Sequence, residues 1–494
     1  MATVNIKLSQ DVIDQQHALA QQGSPYNSID GLLGAANPAD YGIGADIDLV
    51  SWNLANAQLN VNYTQGVTET YIGFSQDNPR ASSGHATATA YELHEAGAFR
   101  VKATGRLNLD YALGSGNDAS LETAAEGHWL QQLYIATEYA TTSPGYDPVF
   151  GNVSLAVNGR INLGPTGSLD GSLVNEITVM ADKLLQHASI EGSFLLDANQ
   201  AGGLGGVVSG YHEYYHDNSM VAIDGLGADA TQVGALDAVY TNAALMGGND
   251  DIAIDLPDHL YASVTVRSGG GADRISLKGG GGMLGVDAGE GNDVIVLLGG
   301  AHTVDGGAGF DIAQMALARA AVSVQRVVSA SGTTTGYTVT DAAGVVVQLA
   351  NVERITFSDT AYALDIDGNA GQAYRLYQAA FDRTPDAGGL GLWINALDQG
   401  ATLRSVAQGF VDSQEYRDTY GYAVSNLALV KSFYDNILHR TPDAAGLGFW
   451  TGVLDRHDAS TAEVLAAISE SAENRDGMVA LIGNGFAYTP YGQG

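Results

Sequence analysis

The sequence predicts a mainly β protein closed by a helical pair, and three observations predict it. Residues 1–240 are dominated by strand-like alternation of apolar and polar residues. From Gly247 glycine and aspartate recur in blocks of nine, and beyond residue 369 one helical segment occurs twice. The expected order is a β-rich domain of undecided fold over 1–240, a short parallel β-roll over 241–315 and a β capping unit over 316–368. A tandem all-α repeat over 369–480 and a C-terminal tail over 481–494 complete it.

Composition narrows the function. The 494 residues include 55 acidic and 21 basic side chains, a formal charge of −34. Such a surface repels phosphate backbones, so nucleic acid is excluded as a partner. Glycine is abundant (64 residues) and only 15% of residues are charged. Many carboxylates therefore stand among glycines rather than in helix-surface ion pairs. The absence of cysteine removes disulfides, thiolate metal sites and cysteine nucleophiles. The opening "MATVNIKLSQDVIDQQHALAQQG" lacks a basic region followed by an apolar core, so no cleaved secretory peptide is expected. No apolar run reaches membrane-spanning length, so membrane insertion is not expected.

In the first domain, "LNVNYTQGVTETYIGF", "AFRVKATGRLNLDYAL" and "NVSLAVNGRINLG" alternate and are broken by Gly or Asn, as strands are. Helices are expected over Ala124–Tyr139 and Leu173–His187. A β-sandwich and an irregular β-solenoid both fit the rest. The stretch "GYHEYYHDNSM", Gly210–Met220, holds a His-Glu-x-x-His motif. On a helix, His212 and His216 would ligate zinc and Glu213 would act as general base. Flanking Gly205, Gly206 and Gly210, and Asp217-Asn218-Ser219 beyond, leave room for two helical turns at most. A third ligand is also wanting, since no Glu follows before Glu290 and the extended motif has Ser219 and Ala222 at its last two places; Asp224 or Asp229 could serve only in a rarer aspartate-ligated type, whose other residues are not found. Read as a strand, Tyr211, Glu213 and Tyr215 face one way, and His212, Tyr214 and His216 the other. No catalytic role is expected.

Written in nines, the next region reads "SGGGADRIS" and then, past Leu277 and Lys278, "GGGGMLGVD", "AGEGNDVIV", "LLGGAHTVD" and "GGAGFDIAQ". Gly269 and Gly271, Gly289 and Gly291, and Gly307 and Gly309 supply tight turns, each pair ahead of Asp273, Asp293 or Asp311. The last two Asp are 311 − 293 = 18 residues apart, one two-strand turn, so they should stack. The first pair is separated by 20 because of the two inserted residues. Ile275 and Ile295 should point inward, with Ile312 one place early. Leu284 and His302 stand where the intervening blocks would place Asp. "MGGNDDIAI" is a degenerate earlier turn with Asp251 in the ligand place. The pattern resembles the RTX nonapeptide of secreted bacterial proteins. That resemblance implies Ca²⁺ bound by stacked Asp carboxylates and turn carbonyls on one edge of the roll. Gly-Asp turns without metal are the alternative.

"NVERITFSD" resembles the segment that closes such rolls, and an open roll edge requires a cap. "RLYQAAFDRTPDAGGLGLW" (Arg375–Trp393) then aligns with "SFYDNILHRTPDAAGLGFW" (Ser432–Trp450) at an offset of 432 − 375 = 57. Thr384 and Thr441 are the expected N-caps, with Pro385 and Pro442 at the first helical position. Gly389 and Gly446 should admit close helix contact, and Trp393 and Trp450 should close each small core. The pair resembles a helical module of unknown function attached to RTX-type proteins.

These resemblances imply export by a one-step, type I route, with the tail as the remaining place for a signal. The expectation is a calcium-dependent extracellular or cell-surface structural protein that assembles with copies of itself into a layer, sheath or filament. Cell-surface polysaccharide or lipopolysaccharide is the candidate ligand. A secreted adhesin or glycan-binding protein is the alternative, and a zinc protease the third.

Overall fold

The computed structural model describes residues 2–22, 47–53, 57–63, 66–77, 83–112, 120–123, 129–143, 146, 151–162, 171–183, 185–196, 204–229 and 246–492. The chain divides into two units, Met1–Ser263 with Arg267–Gly269, and Val264–Val266 with Gly270–Gly494. The protein is mainly β, with a helical C-terminal region, as the sequence predicts.

The first unit is one long antiparallel meander. Each of Ile47–Asn53, Gln58–Tyr63, Val67–Ile72, Ser83–Glu95 and Phe99–Ala112 pairs with the next. The series continues through Trp129–Thr137, Val153–Ile161, Leu173–Ala181, Leu185–Leu196, Leu204–Tyr215 and Met220–Asp229. The N-terminal strand Thr3–Lys7 then lies between Met220–Asp229, antiparallel, and Asp251–Leu256, parallel. Alternation puts one side of each strand in the core, as with Val174, Ile177 and Val179. Glycine bends these strands at bulges. At Gly159 (φ +152°) the register shifts, and a Cβ would lie 2.3 Å from the Leu173 carbonyl oxygen.

Two expected helices are strands. Trp129–Thr137 and Leu173–Ala181 are each hydrogen-bonded on both sides, and Leu185–Leu196 continues the sheet. Residues 124–128 lie outside the described set. The apolar spacing of both segments admits a helix, but their β-branched residues (Ile135, Thr137, Val174, Ile177, Val179) suit a pleated surface flanked on both sides. Conversely, a helix at Gln10–Gln22 interrupts the strands, opened by the Ser9 hydroxyl accepting from Val12 N (3.2 Å).

The second unit begins with the roll. Arg274–Gly279, Val294–Leu297 and Ile312–Met315 stack in parallel, and Arg354–Thr356 of the cap extends them. Leu284–Asp287 and His302–Asp305 form the opposite wall, extended by Val346–Ala350. Arg274 pairs with Val294 and Val294 with Ile312, so the aspartates before them are in phase. The two extra residues between Asp273 and Asp293 are absorbed in the glycine turn at 279–282, where four glycines in succession have positive φ. Ala313, not Ile312, fills the inner position beside Ile295, so the last turn is regular. Within the cap, Val322–Val328, Thr334–Asp341 and Val346–Ala350 form an antiparallel sheet.

Each helical repeat has four helices. Asn369–Phe381, Ala387–Asp398, Leu403–Val411 and Gln414–Tyr420 make the first; Asn426–Leu438, Ala444–Asp455, Thr461–Ser469 and Ala472–Ile482 make the second. The N-caps are Asp386 and Asp443 rather than Thr384 and Thr441. Each carboxylate accepts from the glycine three residues on, Gly389 N at 2.7 Å and Gly446 N at 2.8 Å. Those glycines make room for the caps and for Tyr434, whose hydroxyl would lie 2.4 Å from a Cβ at Gly446. Trp393 packs on Phe410 (4.8 Å) and Trp450 pairs with Phe449 (4.9 Å). Buried Arg375 joins the repeats through two 2.7 Å hydrogen bonds to Glu470. The tail strand Phe486–Tyr488 pairs antiparallel with Ala361–Ala363.

Candidate metal centre

Every turn on the aspartate edge repeats one backbone shape. The first glycine of each pair has φ near +88° (Gly269 +86°, Gly289 +90°, Gly307 +88°) and the second near +137° (Gly271 +138°, Gly291 +133°, Gly309 +140°). L-residues rarely adopt either value, so the glycine spacing follows directly from the turn. The turn delivers Asp273, Asp293 and Asp311 to one buried column.

Those carboxylates form a ladder. Oδ1 of Asp293 accepts from Asp273 N, and Oδ1 of Asp311 accepts from Asp293 N, both at 2.8 Å. Glu353, 42 residues beyond Asp311, continues the column by accepting from Asp311 N through Oε2, also at 2.8 Å. The sequence marked its segment as a closing strand but not this residue as part of the ladder. Beside it, buried Arg354 pairs with Asp365 and Asp398 and lies over the Phe310 ring (4.9 Å to the centroid). The cap is thereby anchored to the first helical repeat.

The second oxygens of Asp293 and Asp311 are buried and without a hydrogen-bond partner. A buried carboxylate with an unsatisfied oxygen must be neutralised by a proton or a cation. Burial, with the Asp273 charge adding to it, pushes Asp293 up to about 6 against donation from Asp273 N. Burial and the charges of Asp293, Glu353 and Asp305 push Asp311 up to about 7. Burial raises Glu353 also. A spare carboxylate oxygen on Asp293 and another on Asp311, among glycine-turn carbonyls, make a donor set that suits a hard divalent cation. Among the described residues no three His, Asp or Glu side chains converge on one point. Asp293 and Asp311, with the turn carbonyls between them, are the residues that could hold a Ca²⁺.

Among the described residues the opposite edge has no aspartate column. Leu284 is buried there, and His302 contacts the carbonyls of Gly299 (2.9 Å) and Leu284 (3.3 Å), filling the turn with an imidazole. Asp251 is misplaced in the expected ligand set. It is the exposed first residue of Asp251–Leu256, and the buried position belongs to Asp250, whose Oδ1 accepts from Ala2 N. The doubled aspartate of "GNDDI" hid the register, which places Ile252 inward. Asp293→Ala should therefore lower calcium affinity at least tenfold, while Asp251→Ala leaves it within about twofold, measured by titration calorimetry. Equal losses would show that the column is misassigned.

The His-Glu-x-x-His motif lies at the end of strand Leu204–Tyr215, not on a helix. A strand separates positions four apart by roughly 13 Å, too far for one zinc ion. Glu213 accepts from the hydroxyls of Tyr211 and, at 2.8 Å, Tyr215. On the other face His212 bonds Asp224 (3.0 Å), and Tyr214 stacks on His187 (4.5 Å). Glu213→Ala should consequently leave zinc content and casein cleavage unchanged while costing about 1–3 kcal/mol of stability, because two tyrosine hydroxyls lose their acceptor. Protease activity that the mutation removes would reverse this reading.

The comparisons bear on one region. A family described as a domain of unknown function, DUF4214, matches residues 360–419 and 407–478. The two matches fall on the two helical repeats and overlap where the first gives way to the second. No curated protein matches the chain. Among the described residues no helix is long and apolar enough to cross a membrane.

Proposed function

We propose that the chain is a calcium-dependent extracellular structural protein that assembles with copies of itself. The observation that carries this reading is the column of buried Asp273, Asp293 and Asp311, continued by half-buried Glu353, in which Asp293 and Asp311 each keep a partnerless oxygen. A column of like charges in glycine turns, whose ordering is entropically costly, is stable when a divalent cation bridges it. Outside the cell calcium is abundant and inside it is scarce, so such a roll folds after export. The large acidic charge keeps the unassembled chain soluble and dispersed. The motif that most suggested catalysis is built into a strand, and the helical repeats spend their Asp-x-x-Gly signatures on helix caps. Copies of the chain, with polysaccharide as the surface ligand, are the partners in this reading.

Electron microscopy of the purified protein with and without calcium tests it. Ordered layers or fibres that dissolve on chelation are expected. Dispersed particles in both conditions would favour a glycan-binding role, for which the stacked His187–Tyr214 pair on the sheet offers one aromatic platform.

A further inference from the structure

We propose that the outer face of the second helical repeat is an interface with a second copy of this chain. The inference deepens the assembly reading and rests on it. Its ground is the internal duplication, which shows one face twice, covered in one repeat and bare in the other. The two repeats are equivalent at the offset of 57. Asn369 bonds Asp398 and Asn426 bonds Asp455, at 2.9 and 2.8 Å, each from the first residue of its first helix.

In the first repeat this face carries the cap and the tail strand. Ala370 is 0% exposed, and Tyr374 packs on Phe486 with ring centroids 4.7 Å apart. At Gly391 the tail comes so close that a Cβ would lie 1.8 Å from the Thr489 carbonyl oxygen. The residues at the same places in the second repeat are bare. Leu427, equivalent to Ala370, is 46% exposed, and a Cβ at Gly448, equivalent to Gly391, would meet nothing within 4 Å. Just upstream, Tyr422 is 79% and Val424 36% exposed. The larger side chains at 422, 424 and 427 stand where the first repeat has its cap, an apolar surface of the kind that marks contact sites.

Charge selects the occupant. A chain of net charge −34 meets its own copies most readily where carboxylates are sparse. Residues 419–434 contain no Asp or Glu, and Lys431 replaces Tyr374 on the bare face. An apolar patch with one cation is thus a place where two acidic copies can touch. Meeting through the same patch on both chains closes a two-fold pair. Calcium-dependent order elsewhere in the molecule would then extend such pairs into an array.

Sedimentation of the full-length protein in calcium tests this, comparing wild type with the double variant Tyr422→Asp, Leu427→Asp. Because the chain has no cysteine, Leu427→Cys alone gives a clean probe for a short bis-maleimide cross-linker. Expected are concentration-dependent wild-type association, roughly 100-fold weaker association of the double variant, unchanged melting and calcium binding, and a cross-linked dimer through position 427. Wild-type association that the double variant retains, or that yields no cross-link at 427, overturns this interface and leaves the assembly reading standing. A wild type that is monomeric at all concentrations, with and without calcium, overturns both and leaves the face to a foreign partner.

Discussion

Metal-free protein at pH 8 should lose the roll, and either calcium or mild acid should restore it. The sign follows from linkage. Asp293 and Asp311 sit at about 6 and about 7 in the fold and near 3.8 in the unfolded chain, so between these values the native state holds more protons. The metal-free fold keeps this stabilisation fully below about pH 3.8 and loses it as pH rises through 6 and 7. At roughly 1.4 kcal/mol per pK unit the two groups together are worth about 7 kcal/mol before screening by solvent, which lowers it. That is a large fraction of the stability of a small domain. Calcium should reverse the trend, since it binds the ionised carboxylates and competes with protons.

Thermal unfolding in chelator at pH 5 and pH 8, followed by circular dichroism, reads this out, with the same scans in millimolar calcium beside it. Asp293→Asn isolates the cause. The amide keeps the acceptor for Asp273 N but carries no charge. The variant should be more stable than wild type in chelator at pH 8 and less responsive to calcium. Melting that is independent of chelator and pH would remove calcium from the account of this column.

Much of the roll was legible because its period is strict. An 18-residue spacing is two strands and two turns, so Asp293 and Asp311 had to stack, and the glycine pairs marked the turns between them. What escaped the sequence lay where the period breaks. Glu353 enters the column only after the cap's antiparallel strands, so no spacing predicts it. Asp250 and Asp251 are adjacent carboxylates, and only the inward-facing Ile252 separates them. The Asp386 cap was hidden by an equally good Thr-Pro pair two residues earlier. In the N-terminal unit, Trp129–Thr137 and Leu173–Ala181 carry apolar spacings compatible with either period. Pairing with two neighbours each decides for strand, and a single sequence does not show which neighbours those are. The bare face of the second repeat was likewise invisible, because the two copies read alike until the cap is seen on one of them.

Gly291→Ala should unfold the roll at calcium concentrations that fully order the wild type. Gly291 has φ +133°, and a Cβ there would lie 1.6 Å from the Gly271 carbonyl oxygen and 2.5 Å from its carbon. Both atoms are backbone of the adjacent turn, so no rotamer relieves the overlap. The turns must separate, and with them the 2.8 Å bond from Asp273 N to Asp293 and the bond from Gly271 N to Glu290 O. Gly332→Ala is the control. It has φ +85° in the 329–333 hairpin turn, with nothing within 4 Å of the added methyl. It therefore meets only the backbone penalty, about 1 kcal/mol. The difference between the two variants measures the stacking overlap together with the steeper backbone penalty at φ +133°, and about 4 kcal/mol or more is expected at Gly291. In a domain of this size that is a fall of roughly 10 °C in Tm, accompanied by loss of calcium binding in calorimetry. A Gly291→Ala protein that melts with Gly332→Ala and still binds calcium would mean that successive turns do not touch. The aspartate column, which exists only because they do, would then have to be abandoned.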